Sequence, residues 1–85
     1  MSRKPPRVLP SSLFEAREVL SQQRPSRDAG PAEWIRFHRH SADVYAHTAK
    51  VDERHRHEAT QYVGIEIRRA REIEHRLDPT LDDES

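Results

Sequence analysis

From Ala32 to Leu77 the chain runs 46 residues with no proline and a single glycine, Gly64. Apolar side chains recur along it every three or four positions: Trp34, Phe37, Val44, Tyr45, Ala49 and Val51, then Ala59, Tyr62, Val63, Ala70, Ile73 and Leu77. That period marks one face of an α-helix, and strand alternation does not fit it. Pro31 stands where a helix's first turn tolerates proline, because the missing N–H would be unpaired there anyway. Asp78-Pro79 ends the run, since the residue before a proline disfavours helical dihedrals.

An unbroken helix over this stretch would be roughly 70 Å long at 1.5 Å per residue, unusual for a small domain. The apolar thread thins at "DERHRHE", residues 52–58, where no aliphatic occurs. A turn is expected there, with Asp52 as the new N-cap. Folding back near residue 53 sets Trp34 opposite Ile73, Phe37 opposite Ala70, Val44 opposite Val63 and Tyr45 opposite Tyr62. One long helix pairing with its copy in a dimer would bury the same residues, and the spacing fits both arrangements.

Upstream, "SSLFEAREVLSQQ" reads as a short helix. Ser12 and Glu15 form a capping box, each side chain satisfying the other's backbone N–H. Leu13, Phe14, Arg17 and Leu20 define its amphipathic face. "RPSRDAGP" breaks the pattern with two prolines and a glycine. The expected organisation is all-α: a basic arm over 1–10, one domain over 11–77 with helices near 12–23, 32–51 and 54–77, and an acidic tail over 78–85. Both ends read as flexible: residues 1–7 carry three positive charges and 78–85 four negative ones.

Hydrophobic residues are 33% of the chain and charged residues 35%, a poor ratio for burying a large core. A lone domain of this kind is marginal, so self-association or a partner surface is expected. Formal net charge is zero, which gives no general pull toward nucleic acid or an anionic membrane. With no cysteine, disulfides, thiolate metal sites and cysteine nucleophiles are excluded. No apolar run reaches the length of a signal peptide or a membrane span, and the simplest address is the cytosol.

Four of the six histidines fall between His40 and His57. His38/His40 and His55/His57 are each two apart, which on a helix turns the rings to opposite sides. A helical zinc pair wants spacing of four, and none exists here. Only a hairpin could assemble a site, by bringing His47 across to His57 with Glu53 or Asp43 nearby. The simpler reading is surface and turn histidines in ion pairs, so no metal and no cofactor is expected. Catalysis has no support either, for there is no phosphate loop and no nucleophile elbow. Glu53 and His57 could form an acid–base couple. They fit better in a ladder of helix-surface pairs with Arg39–Asp43, Asp52–Arg56, Arg54–Glu58, Arg68–Glu72 and Glu72–Arg76. A helical hairpin of this size is also expected to lack a deep pocket, and the chain reads as no enzyme.

"RRAR" puts Arg68, Arg71 and His75 on one helical face, and "RKPPR" could serve as a basic arm in a groove. Glu66, Glu72 and Glu74 interrupt that face, and the Arg24–Gly30 connection is too long for a helix-turn-helix. Trp34, Phe37, Tyr45 and Tyr62 are more telling. Core packing claims most of them, and any left exposed would anchor an interface.

The run "WIRFHRHSADVYAHTAKVDERHRHEATQYVGIEIRRAREI" resembles a group of small, uncharacterised actinobacterial helical proteins. A similar Trp–Tyr–Val-Asp–His-Glu-Ala pattern recurs in them after a Leu-Glu-Ala-Arg-like first helix. The resemblance covers residues 13–73 and brings no activity to any residue here. The order Trp34, Tyr45, Ala59 and the terminal "RLDP" are also similar to tetratricopeptide helix pairs, but the 14-residue step from Tyr45 to Ala59 is too long for that repeat. The expected role is protein–protein interaction, as a cytosolic adaptor or accessory subunit that self-associates. The other class kept open is a nucleic-acid-associated regulator using Arg68, Arg71 and the basic arm.

Overall fold

The first helix starts where Ser12, in extended conformation, turns its hydroxyl to accept from the N–H of Glu15 at 3.1 Å. Glu15 does not return the bond to Ser12. It reaches one residue further back, to the N–H of Ser11 at 2.9 Å, so the expected capping box is displaced by one position. The helix, α1, spans Leu13–Gln23; α2 spans Pro31–Val51; a 3-10 turn follows over Glu53–His55, and α3 spans Arg56–Leu77. This is a computed structural model, and it describes residues 9–79. The basic arm except Leu9 and Pro10, and the acidic tail beyond Pro79, lie outside the described residues. Helix is the regular secondary structure of the described residues, and they hold no strand.

The long stretch folds back on itself. α2 stops at Val51, because Asp52 leaves the helical region at φ −109°, ψ 78° and its side chain caps the next turn. α3 then returns antiparallel along α2, with Tyr45 stacked on Tyr62 at a ring separation of 4.9 Å, as the register demands. Arg39 crosses the interface to Glu74 at 2.7 Å rather than pairing with Asp43 on its own helix. The hairpin satisfies within one chain the apolar seam that a long-helix dimer would have shared between two.

α1 lies across this hairpin, mainly against α2. The core joins Leu13, Ala16 and Leu20 of α1 to Val44 and Tyr45 of α2 and Ala59 of α3, with Phe37, Ala49, Tyr62 and Val63 packed around them. Phe14, expected on the inner face, is 77% exposed. Ala16 takes the buried place instead, because positions 13, 16 and 20 follow the helical stripe and 14 does not. Much of what is buried is small: Ala16, Ser41, Ala42, Thr48, Ala59 and Ala70. Short side chains let backbones approach closely, which is how a chain poor in aliphatics closes a core at all. Thr48 buries its hydroxyl by donating to the carbonyl of Val44 at 2.9 Å, four residues back.

Asp52 fastens the assembly. One carboxylate oxygen accepts from the N–H of Leu13 at 2.9 Å and from the His55 ring at 3.0 Å; the other accepts from the His55 backbone N–H at 3.3 Å. The Leu13 N–H is one of the first-turn donors that α1 cannot satisfy internally, and a negative charge there complements the helix dipole. The Leu13 bond, and then His55, hold the Asp52 carboxyl below its ordinary value of 3.8.

Two predictions follow from this packing. Leu20→Ala should cost about 2–5 kcal/mol in urea denaturation, whereas Phe14→Ala should stay within about 0.5 kcal/mol. Equal losses at the two positions would place Phe14 in the core. The depressed carboxyl of Asp52 adds stability that is fully present above its unfolded value and lost as pH falls through its folded one. Thermal melting of the wild type should therefore drop below about pH 4, near the unfolded carboxyl value. Asp52→Asn should melt lower at neutral pH and show a shallower acid drop. An unchanged acid profile in that variant would remove Asp52 from this role.

Candidate functional site

Laying α1 over the hairpin opens a cleft between the three helices. It encloses about 270 Å³ and is lined by Arg17, Leu20, Ser21 and Arg24 of α1 and its C-cap, Phe37, Ser41 and Tyr45 of α2, and Tyr62, Glu66 and Arg69 of α3. The expectation of no deep pocket took no account of α1, which supplies one wall of this cleft. The cleft exists because the third element does not sit flush.

Three of the expected interaction residues meet here. Phe37, Tyr45 and Tyr62 form the aromatic wall, with Tyr45 buried and the other two half-buried. Trp34 does not join the core; it is half-buried at the edge, its ring 5.9 Å from Phe37 in an edge-on arrangement. The reason is position. Trp34 lies in the first turn of α2, where the Arg24 guanidinium, past the end of α1, sits 5.5 Å from its ring. Arg68 and Arg71 are not part of the cleft. They point to the opposite side of α3, where with Glu72, His75 and Arg76 they border a shallow hollow.

The rim is cationic. The Arg17 guanidinium lies 5.4 Å from the centre of the Tyr62 ring, and that of Arg24 lies 5.5 Å from Trp34. Cations over aromatic faces are attracted by the ring quadrupole, a contact that does not use up the guanidinium's N–H donors. Among the described residues, neither arginine has a carboxylate within ion-pair distance. Arg69 leans toward Glu66 at 3.5 Å.

Below the rim lies a buried pair that the sequence does not announce. His38 Nδ1 is 2.6 Å from Glu66 Oε1, both side chains only 10% exposed. His38 is also flanked by the rings of Trp34 and Phe37 at 5.7 and 5.5 Å. Both residues read as solvated charges in the sequence, but 38 and 66 fall on the facing stripes once the hairpin closes. The available signal was their register: 38 is one turn from 41 and 42 and two turns from 45, and 66 shares a face with 59, 62, 63 and 70. Burial above all, then Glu66, pushes the Tyr45 phenol above its ordinary 10.0, with Arg17 pulling the other way, so it stays neutral. The Ser41 hydroxyl is buried with no hydrogen-bond partner among the described residues.

The four histidines between His40 and His57 do not come together: His40 and His47 belong to α2, His55 to the turn and His57 to α3. His55 binds Asp52, and His40 contacts Gln23 at 3.2 Å. Among the described residues no group of three or more His, Cys, Asp or Glu could hold a metal ion, and no helix is long and apolar enough to cross a membrane. Set against family models, curated proteins and solved structures, the chain matches none of them.

The buried pair makes a sharp prediction. His38→Leu and Glu66→Leu should each cost about 3 kcal/mol, because each strands the other's polar atoms below the rim. The double variant should recover most of that loss, since an apolar pair of similar volume needs no partner. Additive losses in a urea-denaturation cycle would mean that the two side chains are not coupled.

Proposed function

We propose that this chain is a small, non-enzymatic helical protein that mediates protein–protein interaction, as a cytosolic adaptor or accessory subunit, through the cleft between α1 and the hairpin. The observation that carries this reading is the cleft's composition, with Arg17, Arg24 and Arg69 set around Phe37, Tyr45 and Tyr62. Arginines and aromatics dominate binding energy at interfaces, because they combine large contact area with fixed donors. The non-enzymatic part rests on the sequence, which carries no phosphate loop and no nucleophile elbow.

A nucleic-acid-associated role has one observation in its favour, the outward face of α3 with Arg68, Arg71 and Arg76. Glu72 sits among them and weakens the positive field. The two readings use opposite faces, so paired variants separate them. Tagged full-length protein should capture the same partner proteins from its native cell as wild type and as Arg68→Glu/Arg71→Glu, and lose them as Arg17→Glu/Arg24→Glu, with nuclease having no effect. The reverse pattern, with heparin binding that falls steeply as salt rises, would transfer the function to α3 and to phosphate contacts.

A further inference from the structure

We propose that the cleft seats a carboxylate, the side chain of an aspartate or glutamate in an acidic segment of the partner, beneath the guanidinium groups of Arg17, Arg24 and Arg69. This rests on reading the cleft as the interaction site and adds the chemistry of what enters it. Three positive groups face one negative one, and that one, Glu66, already has an oxygen engaged by His38. Its other oxygen lies 3.5 Å from Arg69, so Arg17 and Arg24 are the guanidinium groups with no carboxylate within ion-pair distance among the described residues, and the cleft keeps net positive charge. The guanidinium groups of Arg17 and Arg24 lie over the rings of Tyr62 and Trp34, contacts that restrict them before anything binds. A guanidinium fixed in this way loses little freedom on meeting a carboxylate and can offer two parallel N–H bonds.

Size and polarity narrow the occupant. About 270 Å³ suits one side chain with its adjoining backbone and is too small for a docked helix. Leu20 and the aromatic wall would contact the methylene stem of an acidic residue. For any anion the attraction of three arginines outweighs the repulsion of Glu66, and it is the apolar wall that favours an anion on a carbon stem over inorganic phosphate. In the wall, Ser41 is 1% exposed with its hydroxyl unpartnered among the described residues, a buried donor that a bound oxygen would satisfy.

The test is an NMR titration of the full chain with three probes: the blocked tripeptide acetyl-Ala-Glu-Ala-amide, its glutamine counterpart, and inorganic phosphate. The glutamate peptide should give saturating shifts at the Nε–H groups of Arg17, Arg24 and Arg69 and at the Ser41 amide. The glutamine peptide should give none, and phosphate should bind more weakly. Arg24→Gln should raise the dissociation constant about tenfold, the loss of one charge-assisted hydrogen bond. Equal shifts with glutamine, tighter binding of phosphate, or shifts confined to Arg68 and Arg71 would overturn the proposal. Circular dichroism of the exposed-arginine variants keeps folding separate from binding. If the cleft variants lose their captured partners while the glutamate peptide fails to bind, the interaction site stands and its carboxylate chemistry falls. If the peptide binds while those variants keep their partners, the carboxylate site stands and the protein-interaction reading falls.

Discussion

Where α2 ends, the carboxylate of Asp52 accepts hydrogen bonds from Leu13, at the start of α1, and from His55, in the turn before α3. Thirty-nine residues separate Asp52 from Leu13 along the chain. A contact of that range fixes where α1 enters, and so the angle at which its Leu13, Ala16 and Leu20 stripe meets the hairpin. The side chain that stops one helix thus caps the next turn and anchors the first. Without it, nothing in the helix propensities alone would hold α1 across the pair.

The core that results is shallow and built largely of small residues. Ser41 and Thr48 are the largest fully buried side chains, and of the aromatic rings Tyr45 joins the core cluster while Phe37 and Tyr62 pack around it. Large rings at the periphery of a thin core leave a gap wherever three helices meet at an angle, and here that gap is the arginine-rimmed cleft. The composition that makes the domain marginal also leaves Phe37 and Tyr62 half-buried and in reach of a ligand. Fold and candidate site are two outcomes of the same shortage of aliphatics.

Electrostatics divides along the same line. Exposed pairs such as Arg56–Glu53 contribute little, because water screens them and the side chains must be ordered. His38–Glu66 is different in kind, since removal from water makes each group depend on the other. Its place directly beneath the cleft means that the wall is held by a polar contact with a defined geometry, which apolar packing would not have supplied.

Local patterns were sufficient for the helices, the Ser12 cap, the Asp52 turn and the Tyr45–Tyr62 register, because each depends on residues within a few turns or on a single fold-back. The expected identity of the interaction residues was partly readable for the same reason: Phe37, Tyr45 and Tyr62 share the inner stripe. What the sequence could not hold was anything set by the angle of α1. Trp34 stayed at the edge, and Arg17 and Arg24 became a rim only once α1 was laid over α2, whereas the outward place of Phe14 follows from the helical stripe itself. His38 and Glu66 look solvated because charge is the strongest local signal of exposure, yet burial is decided by which stripe faces the neighbouring helix. Spacing along a chain determines faces; the distance and tilt between those faces belong to tertiary packing, and the cleft exists only at that level.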